Sequence, residues 1–488
     1  MPQKMETSTL KRKSIISAIS LFFQSGYSAV LGFAANVVLT IYLTPEIFGI
    51  YITVLSIISL LNYFSDIGLA ASLIQRENVK PDDIRTAFTV QQLLIVTIVV
   101  VGFILTEPII RFYDLQSDGR FLYWTLLFGF FISSLKTIPS VFLERAVRFD
   151  KIVLVQIIEN TCFYLTVIVC AMNGYGLLSF AYGVVLRSVV GLIAVYIISP
   201  WMPRFGIVRA SLKDLLSYGV PFQSMSFLAI IKDELVNLFL GKLIGFSALG
   251  YIGWAKKWAE SSLRIIMDNI NRVVFPLFAR IQSEPEKQKS VMERILKYQS
   301  MVMIPASLGM MMLMPLIVDI LPKYEKWRPA LPIFYLFVAS SLLSGYSNPF
   351  INYFNGIGKI RLSLGFMVFW TVATWILLIP LSRAFGMFGF PLTVLILSLT
   401  FIFVLLKART YIEFDFIGIV TRYLVSGVGM VGVLYGSRIL FASAGAWVIP
   451  IVIVIGMLTY YGILRFFFQE DLIVEAREII EPLLKRSA

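Results

Sequence analysis

The sequence predicts an all-α polytopic membrane protein, with about fourteen transmembrane helices in two six-helix lobes followed by an extra C-terminal helix pair. Three observations lead there. The 488-residue chain is 58% hydrophobic with a mean hydropathy of +0.83, more apolar surface than a water-soluble fold can bury. Apolar runs of the roughly 20 residues that a helix needs to cross the hydrocarbon core recur along its whole length, without the weak alternation of a membrane β-barrel. Lys and Arg collect in every second connection, the pattern that positive-inside topology produces.

The first run, 15–43, is too long for a signal-peptide core and lacks a small-residue cleavage site, so it reads as a retained helix. The next five spans are 46–74, 87–107, 121–143, 152–172 and 177–199. The polar break "PWMPRFGIVRASLKD" (200–214) follows, and then 215–240, 250–275, 296–321, 331–354, 361–381 and 389–406. The last two spans are 417–440 and 447–468. The expected organisation is a cytoplasmic tail (1–14), an N-lobe (15–199), a cytoplasmic linker (200–214), a C-lobe (215–406), an extra helix pair (407–468) and a cytoplasmic tail (469–488). Leu472, Ile473, Ala476, Ile479, Ile480, Leu483 and Leu484 recur at helical spacing, so that tail should lie on the membrane surface.

Orientation follows from the basic loops 75–86, 144–151, 200–214 and 277–295, which place both termini in the cytoplasm. The eighth span needs this argument most, because "GWAKKWAESSLRIIMDNINRVVFP" (253–276) carries six charges. Without it as a crossing, every later loop would flip and the basic excess would move outside. A weak repeat also appears at an offset near 200, as "FGIY" (48–51) with "LGYI" (249–252) and "LIQRE" (73–77) with "RIQSE" (280–284). It supports duplicated six-helix halves, common among transporters.

Composition excludes several functions. A net charge of +13 on such a chain reads as basic loops against anionic lipid rather than as a nucleic-acid surface. Cys162 and Cys170 lie in one apolar helix, too far apart along its axis to bridge, and no CxxC motif occurs. There is no His at all, which removes the commonest zinc ligand and the usual near-neutral proton relay.

The intramembrane charges carry the functional signal. At about 100° per residue, Lys256, Glu260, Arg264, Lys257, Asp268 and Arg272 of span eight fall within an arc of about 160°. Trp258, Ala259, Ile265, Ile266, Ile270 and Val273 occupy the other side. Each charge at mid-bilayer costs about 2.5–3.5 kcal/mol on insertion scales, so this face should meet water or counter-charges. Glu260–Arg264 and Arg264–Asp268 are i,i+4 pairs that can neutralise one another, and Lys136 and Arg272 stand near span ends, where they can snorkel. Other spans contribute Asp66, Lys136, Glu159, Arg187, Lys232, Asp233 and Glu234, whereas spans nine to fourteen are nearly bare.

Three stretches resemble a known family. "YLTPEIFGIYITVLSIISLLNYFSDIGLAASLIQRE" (42–77), with its TPE-x-FG-x-Y turn, D-x-GL and LIQ, is similar to the first hairpin of polysaccharide transporters. These belong to the multidrug/oligosaccharidyl-lipid/polysaccharide superfamily. "LLSYGVPFQ" (215–223) resembles the entry to their seventh helix, and "LGYIGWAKKWAESSLRIIMDNINRVVFPLFARIQ" (249–282) resembles their eighth. The resemblance implies a flippase that moves polyprenyl-pyrophosphate-linked oligosaccharide across the bacterial inner membrane by alternating access of two lobes. The product would be O-antigen, capsule or exopolysaccharide.

On that reading Lys256, Lys257, Arg264, Arg272, Arg187, Lys136 and Lys232 would bind pyrophosphate and sugar. Asp66, Glu159, Asp233, Glu234, Glu260 and Asp268 would serve coupling or counter-charge. No metal or organic cofactor is implied, a coupling ion (H+ or Na+) is allowed, and polysaccharide polymerase and chain-length proteins are the expected partners beside membrane lipids. The first span has only Gln24 and Asn36 as notable polar groups, where the lipid II branch carries arginine, which argues against that cargo. A drug exporter of the same superfamily is the rival within the fold. A membrane glycosyltransferase or polymerase is the rival from another class, but the chain lacks a sizeable extramembrane loop, a Gly-rich nucleotide loop and a metal motif.

Overall fold

The computed structural model describes residues 7–65, 67–224, 227–440 and 447–471; the side chains of 7–15, 18, 221, 222, 224, 227–229, 231, 261–273 and 438–440 lie outside the description. Among the described residues every regular element is helical. The N-terminal part holds α1 (Thr7–Tyr42), α2 (Pro45–Tyr63), α3 (Leu69–Gln75), α4 (Pro81–Ile104), α5 (Thr106–Tyr113), α6 (Ser117–Ser134), α7 (Thr137–Arg145), α8 (Phe149–Met172) and α9 (Leu178–Ile198). Next come α10 (Arg209–Ser224), α11 (Phe227–Leu243), α12 (Phe246–Arg280), α13 (Pro285–Ile320), α14 (Leu331–Gly345) and α15 (Ser347–Gly356). The remainder is α16 (Ile360–Phe385), α17 (Gly389–Ser398), α18 (Phe401–Arg409), α19 (Phe416–Leu440) and α20 (Val448–Phe467).

The protein is an all-helical, multi-pass membrane protein. Among the described residues ten helical stretches are long and apolar enough to cross a bilayer, or eleven when α6 and α7, bent by 42° at their junction, count as one span. Ile360–Arg409 passes as a single stretch in that count but holds two predicted spans. The α10–α11 pair and α12, whose polar and charged residues lower their hydropathy, fill the other two predicted positions. From residue 472 onward the predicted amphipathic tail lies outside the described residues.

Several spans expected to be continuous are broken. The predicted span 46–74 is α2 and α3 joined by a turn in which Ile67 (φ 47°) and Gly68 (φ 74°) are left-handed. Glycine is required there twice over, because a Cβ on Gly68 would stand 2.2 Å from the carbonyl oxygen of Gly219. Tyr63 OH donates to the Gln223 carbonyl at 2.7 Å, and Gln223 Nε2 donates back to the Tyr63 carbonyl at 2.9 Å. Spans two and seven therefore meet where span two breaks, through the "D-x-GL" and "LLSYGVPFQ" segments picked out in the sequence.

The described residues form two compact units, Met1–Gly250 and Tyr251–Ala488. This border does not follow the 200–214 linker, because α10 and α11 pack on α2, α3, α4 and α5. The linker is also fastened down: Gly206 N donates to Thr89 Oγ1 at 2.9 Å and Val208 N to Thr86 Oγ1 at 3.0 Å. The first unit has its main core around Val54, Leu122, Tyr123, Leu127, Val167 and Ala181. The second has one core around Phe278, Leu296, Tyr353 and Phe354 and another that seats the extra pair α19–α20 on α13.

The repeated motifs touch each other inside the first unit. A Cβ on Gly49 would lie 1.8 Å from the Phe246 carbonyl oxygen, and one on Gly250 would lie 1.8 Å from that of Pro45. The first turns of α2 and α12 thus cross backbone to backbone, with glycine on both sides of the contact.

Candidate functional site

Three of the intramembrane charges come together in the first unit. Lys136 sits at the break between α6 and α7, as the residue preceding the first turn of α7. Its Nζ donates to Glu159 Oε1 on α8 at 2.5 Å, and Arg187 Nε on α9 approaches Glu159 Oε2 at 4.0 Å. One carboxylate, 9% exposed, therefore serves two cations. Lys136 does not snorkel; it turns inward and is 17% exposed.

Gly191 makes the carboxylate's place, because a Cβ there would stand 1.8 Å from Glu159 Oε1. Arg187 is held more loosely. It is 46% exposed, with its guanidinium 5.7 Å from the centre of the Phe163 ring. Gly183 and Gly191, one turn to either side, are buried. The exposed apolar stripe of α9, formed by Tyr182, Leu186, Ile193 and Ile197, lies roughly 100° away around the helix. The guanidinium thus leaves the helix away from its apolar outer stripe. Two cations against one anion leave the cluster net positive, with a planar fork as its most accessible part.

Uncharged polar groups surround this cluster, and charge counting missed them. Gln91 Nε2 donates to Thr137 Oγ1 at 3.0 Å and Gln92 Nε2 to Ser134 Oγ at 3.2 Å, both beside the α6–α7 break. Tyr27 OH and Thr161 Oγ1 share a bond of 2.6 Å, and Asn160 Nδ2 donates to Ser28 Oγ at 3.3 Å. The adjacent "QQ" in an apolar run was the available signal. The Ser and Thr residues gave none, since such hydroxyls commonly bond their own helix.

In the second unit α12 shows the expected two faces over its described side chains. Ile252, Trp254, Ala255, Trp258 and Ala259 are buried, and Trp254 stacks on Trp327 with ring centres 5.3 Å apart. Lys257 is exposed, and Lys256 and Glu260 are partly exposed. Lys256 Nζ lies 3.9 Å from Glu260 Oε1 and 5.9 Å from the centre of the Phe390 ring. The side chains of Arg264, Asp268 and Arg272 lie outside the described residues, as does Asp66. On α11, Lys232 and Asp233 are exposed and Glu234 is half-buried; among the described residues no ion pair joins them to the Lys136–Glu159–Arg187 cluster.

The protein resembles the lipid II flippase MurJ in an inward closed conformation, with a TM-score of 0.74 at 16% identity over 93% of this chain and 99% of that one. It also resembles an inward-facing multidrug transporter of the multidrug/oligosaccharidyl-lipid/polysaccharide superfamily, with a TM-score of 0.62 at 16% identity over 81% of this chain and 97% of that one. The chain belongs to the family described as polysaccharide biosynthesis protein, which matches residues 38–332. Among its relatives are the lipopolysaccharide biosynthesis protein WzxC of Escherichia coli (strain K12), 25% identical over 77% of each chain, and the succinoglycan biosynthesis transport protein ExoT of Rhizobium meliloti (strain 1021), 20% identical over 70% of this chain and 67% of that one.

Proposed function

We propose that this protein is a flippase for lipid-linked oligosaccharide, feeding the assembly of a surface polysaccharide rather than catalysing a covalent step. Its family membership, together with the transporter fold, supports this reading. The Lys136–Glu159–Arg187 cluster is the observation that carries it to residues: a net-positive group inside the spans, with one guanidinium loosely held, suits an anionic head group that must pass through a membrane protein. Arg187 is the ligand-contacting cation and Lys136 the fixed counter-ion of Glu159. Lys256, Lys257, Arg264 and Arg272 of α12 are the further cations we assign to sugar and diphosphate. The protein resides in the bacterial inner membrane with both termini in the cytoplasm. It works by alternating access of its two halves, and a proton or sodium ion drives return of the empty carrier through the carboxylates. Polysaccharide polymerase and chain-length proteins take up its product.

The test is flipping of a fluorescent polyprenyl-diphosphate oligosaccharide in proteoliposomes, read by its accessibility to an impermeant reagent. Arg187→Met should fold and lose flipping about tenfold or more, the loss of at least one charge-assisted bond. Arg187→Lys should fall between that variant and wild type, since the charge remains but the fork does not. A wild-type protein that extruded a cationic dye and left the lipid-linked sugar in place would overturn the reading in favour of a drug exporter.

A further inference from the structure

The segment between α9 and α10, expected to be a cytoplasmic linker, is fastened to the membrane-spanning α4. Gly206 and Val208 donate their backbone N–H groups to Thr89 and Thr86, which lie in the third and second turns of the membrane-spanning α4. That helix has 24 residues, about 36 Å of length against a hydrocarbon core of about 30 Å. Gly206 also lies against the stem of Arg85, a Cβ there standing 3.2 Å from its Cδ, so the segment crosses α4 where its charged first turns give way to its apolar run.

The segment runs antiparallel to α4, with Gly206 beside Thr89 and Val208 beside Thr86. Its inner side is packed. The Trp201 ring meets Phe88 edge-on at 5.0 Å and Phe142 at 6.3 Å, and the Phe205 ring is 5.5 Å from Phe88. Its outer side is apolar and open: Met202 is 81% exposed, Phe205 72% and Ile207 about half.

Three further features suit lipid on that outer side. The exposed stripe of α9, from Tyr182 to Ile197, ends one residue before the close of the helix and continues into Met202, so the bilayer-facing surface is continuous. Pro200 and Pro203 have no N–H, and two threonine hydroxyls accept the donors of Gly206 and Val208, which reduces the backbone polarity that lipid penalises. Arg204, between Met202 and Phe205, and Arg209, just beyond Ile207, are exposed, and both suit anionic headgroups.

We propose that residues 200–208 form a lipid-embedded strap, with Met202, Phe205 and Ile207 in the acyl region of the cytoplasmic leaflet and Arg204 and Arg209 on anionic phospholipid headgroups. Its side of the membrane rests on the topology proposed above. The strap moves with the first unit as one body, so it holds that unit at a fixed level in the leaflet.

The experiment places a nitroxide on Met202→Cys in full-length protein carrying Cys162→Ser and Cys170→Ser, reconstituted in phosphatidylcholine vesicles with phosphatidylglycerol. Collisions with oxygen should exceed those with a water-soluble nickel chelate, the reverse of a label on Ser283→Cys. Omitting phosphatidylglycerol should shift Met202→Cys toward the chelate, and Arg204→Gln with Arg209→Gln should abolish that shift. A label at residue 202 that the chelate reaches freely would place the segment in water. Shielding from both probes would mean that protein covers it, and an unchanged ratio without phosphatidylglycerol would remove the headgroup contact. Each of these three results overturns the proposal. Flipping of the lipid-linked sugar is a separate readout, so the strap and the transport function fail independently.

Discussion

The two units handle membrane charge in different ways. In the first, two cations from separate places in the chain converge on one nearly buried carboxylate. In the second, Lys256 and Glu260 meet along one helix and remain partly exposed. The contrast is between a charge whose neutrality depends on tertiary structure and a pair whose neutrality needs only a helical turn. Removing one member of the first strands ions among packed helices, whereas removing one member of the second leaves a solvated or adaptable partner.

The largest effect should follow Glu159→Ala. It leaves Lys136 without its counter-ion, and truncating one member of a buried pair typically costs about 3–5 kcal/mol. Protein yield and detergent Tm should both drop, and the double variant Lys136→Met with Glu159→Gln should recover much of the Tm. If the single and double variants were equally unstable, the carboxylate would matter for packing rather than for charge.

Gly191→Ala comes next. Its new methyl would collide with Glu159 Oε1, and crowding of this kind costs about 1–3 kcal/mol. The expected signature is a lower Tm that the Lys136→Met, Glu159→Gln background does not relieve, because the clash survives neutralisation. The smallest effect belongs to Lys256→Met, which removes an exposed i,i+4 pair worth about 0.5 kcal/mol or less. Its Tm should stay close to wild type while any loss of flipping reports on the lumen. A Tm drop as large as that of Glu159→Ala would erase the distinction between the units.

Much of this was legible in the sequence, for identifiable reasons. Long apolar runs fixed the span positions, and 100° periodicity separated Trp258 and Ala259 from Lys256 and Lys257. Lys136, Glu159 and Arg187 stood out singly as costly intramembrane charges. Their convergence did not, because it depends on the bend at Lys136 and on the gap left at Gly191, both set by tertiary contact. The break after Tyr63 was hidden for a similar reason: a few polar residues hardly lower the hydropathy of a window, although Gly68 carried the local sign of a left-handed turn. The fastening of the 200–214 segment to α4 was not legible. The segment's prolines and arginines read as an aqueous connection, and nothing in them showed that Thr86 and Thr89 would accept its backbone.

The glycine crossing of α2 and α12 has a consequence of another kind. Gly49 abuts the carbonyl of Phe246 and Gly250 that of Pro45, so each glycine meets the peptide group four residues before the other. Exchanging the two helices reproduces the contact. Such an arrangement behaves as a hard stop: the separation is set by backbone atoms on both sides of the contact. The smallest possible addition, one methyl group at either position, would pry the same joint apart from opposite sides. The two halves of the ancient-looking repeat therefore share a single tolerance, and neither can drift in sequence there without the other feeling it.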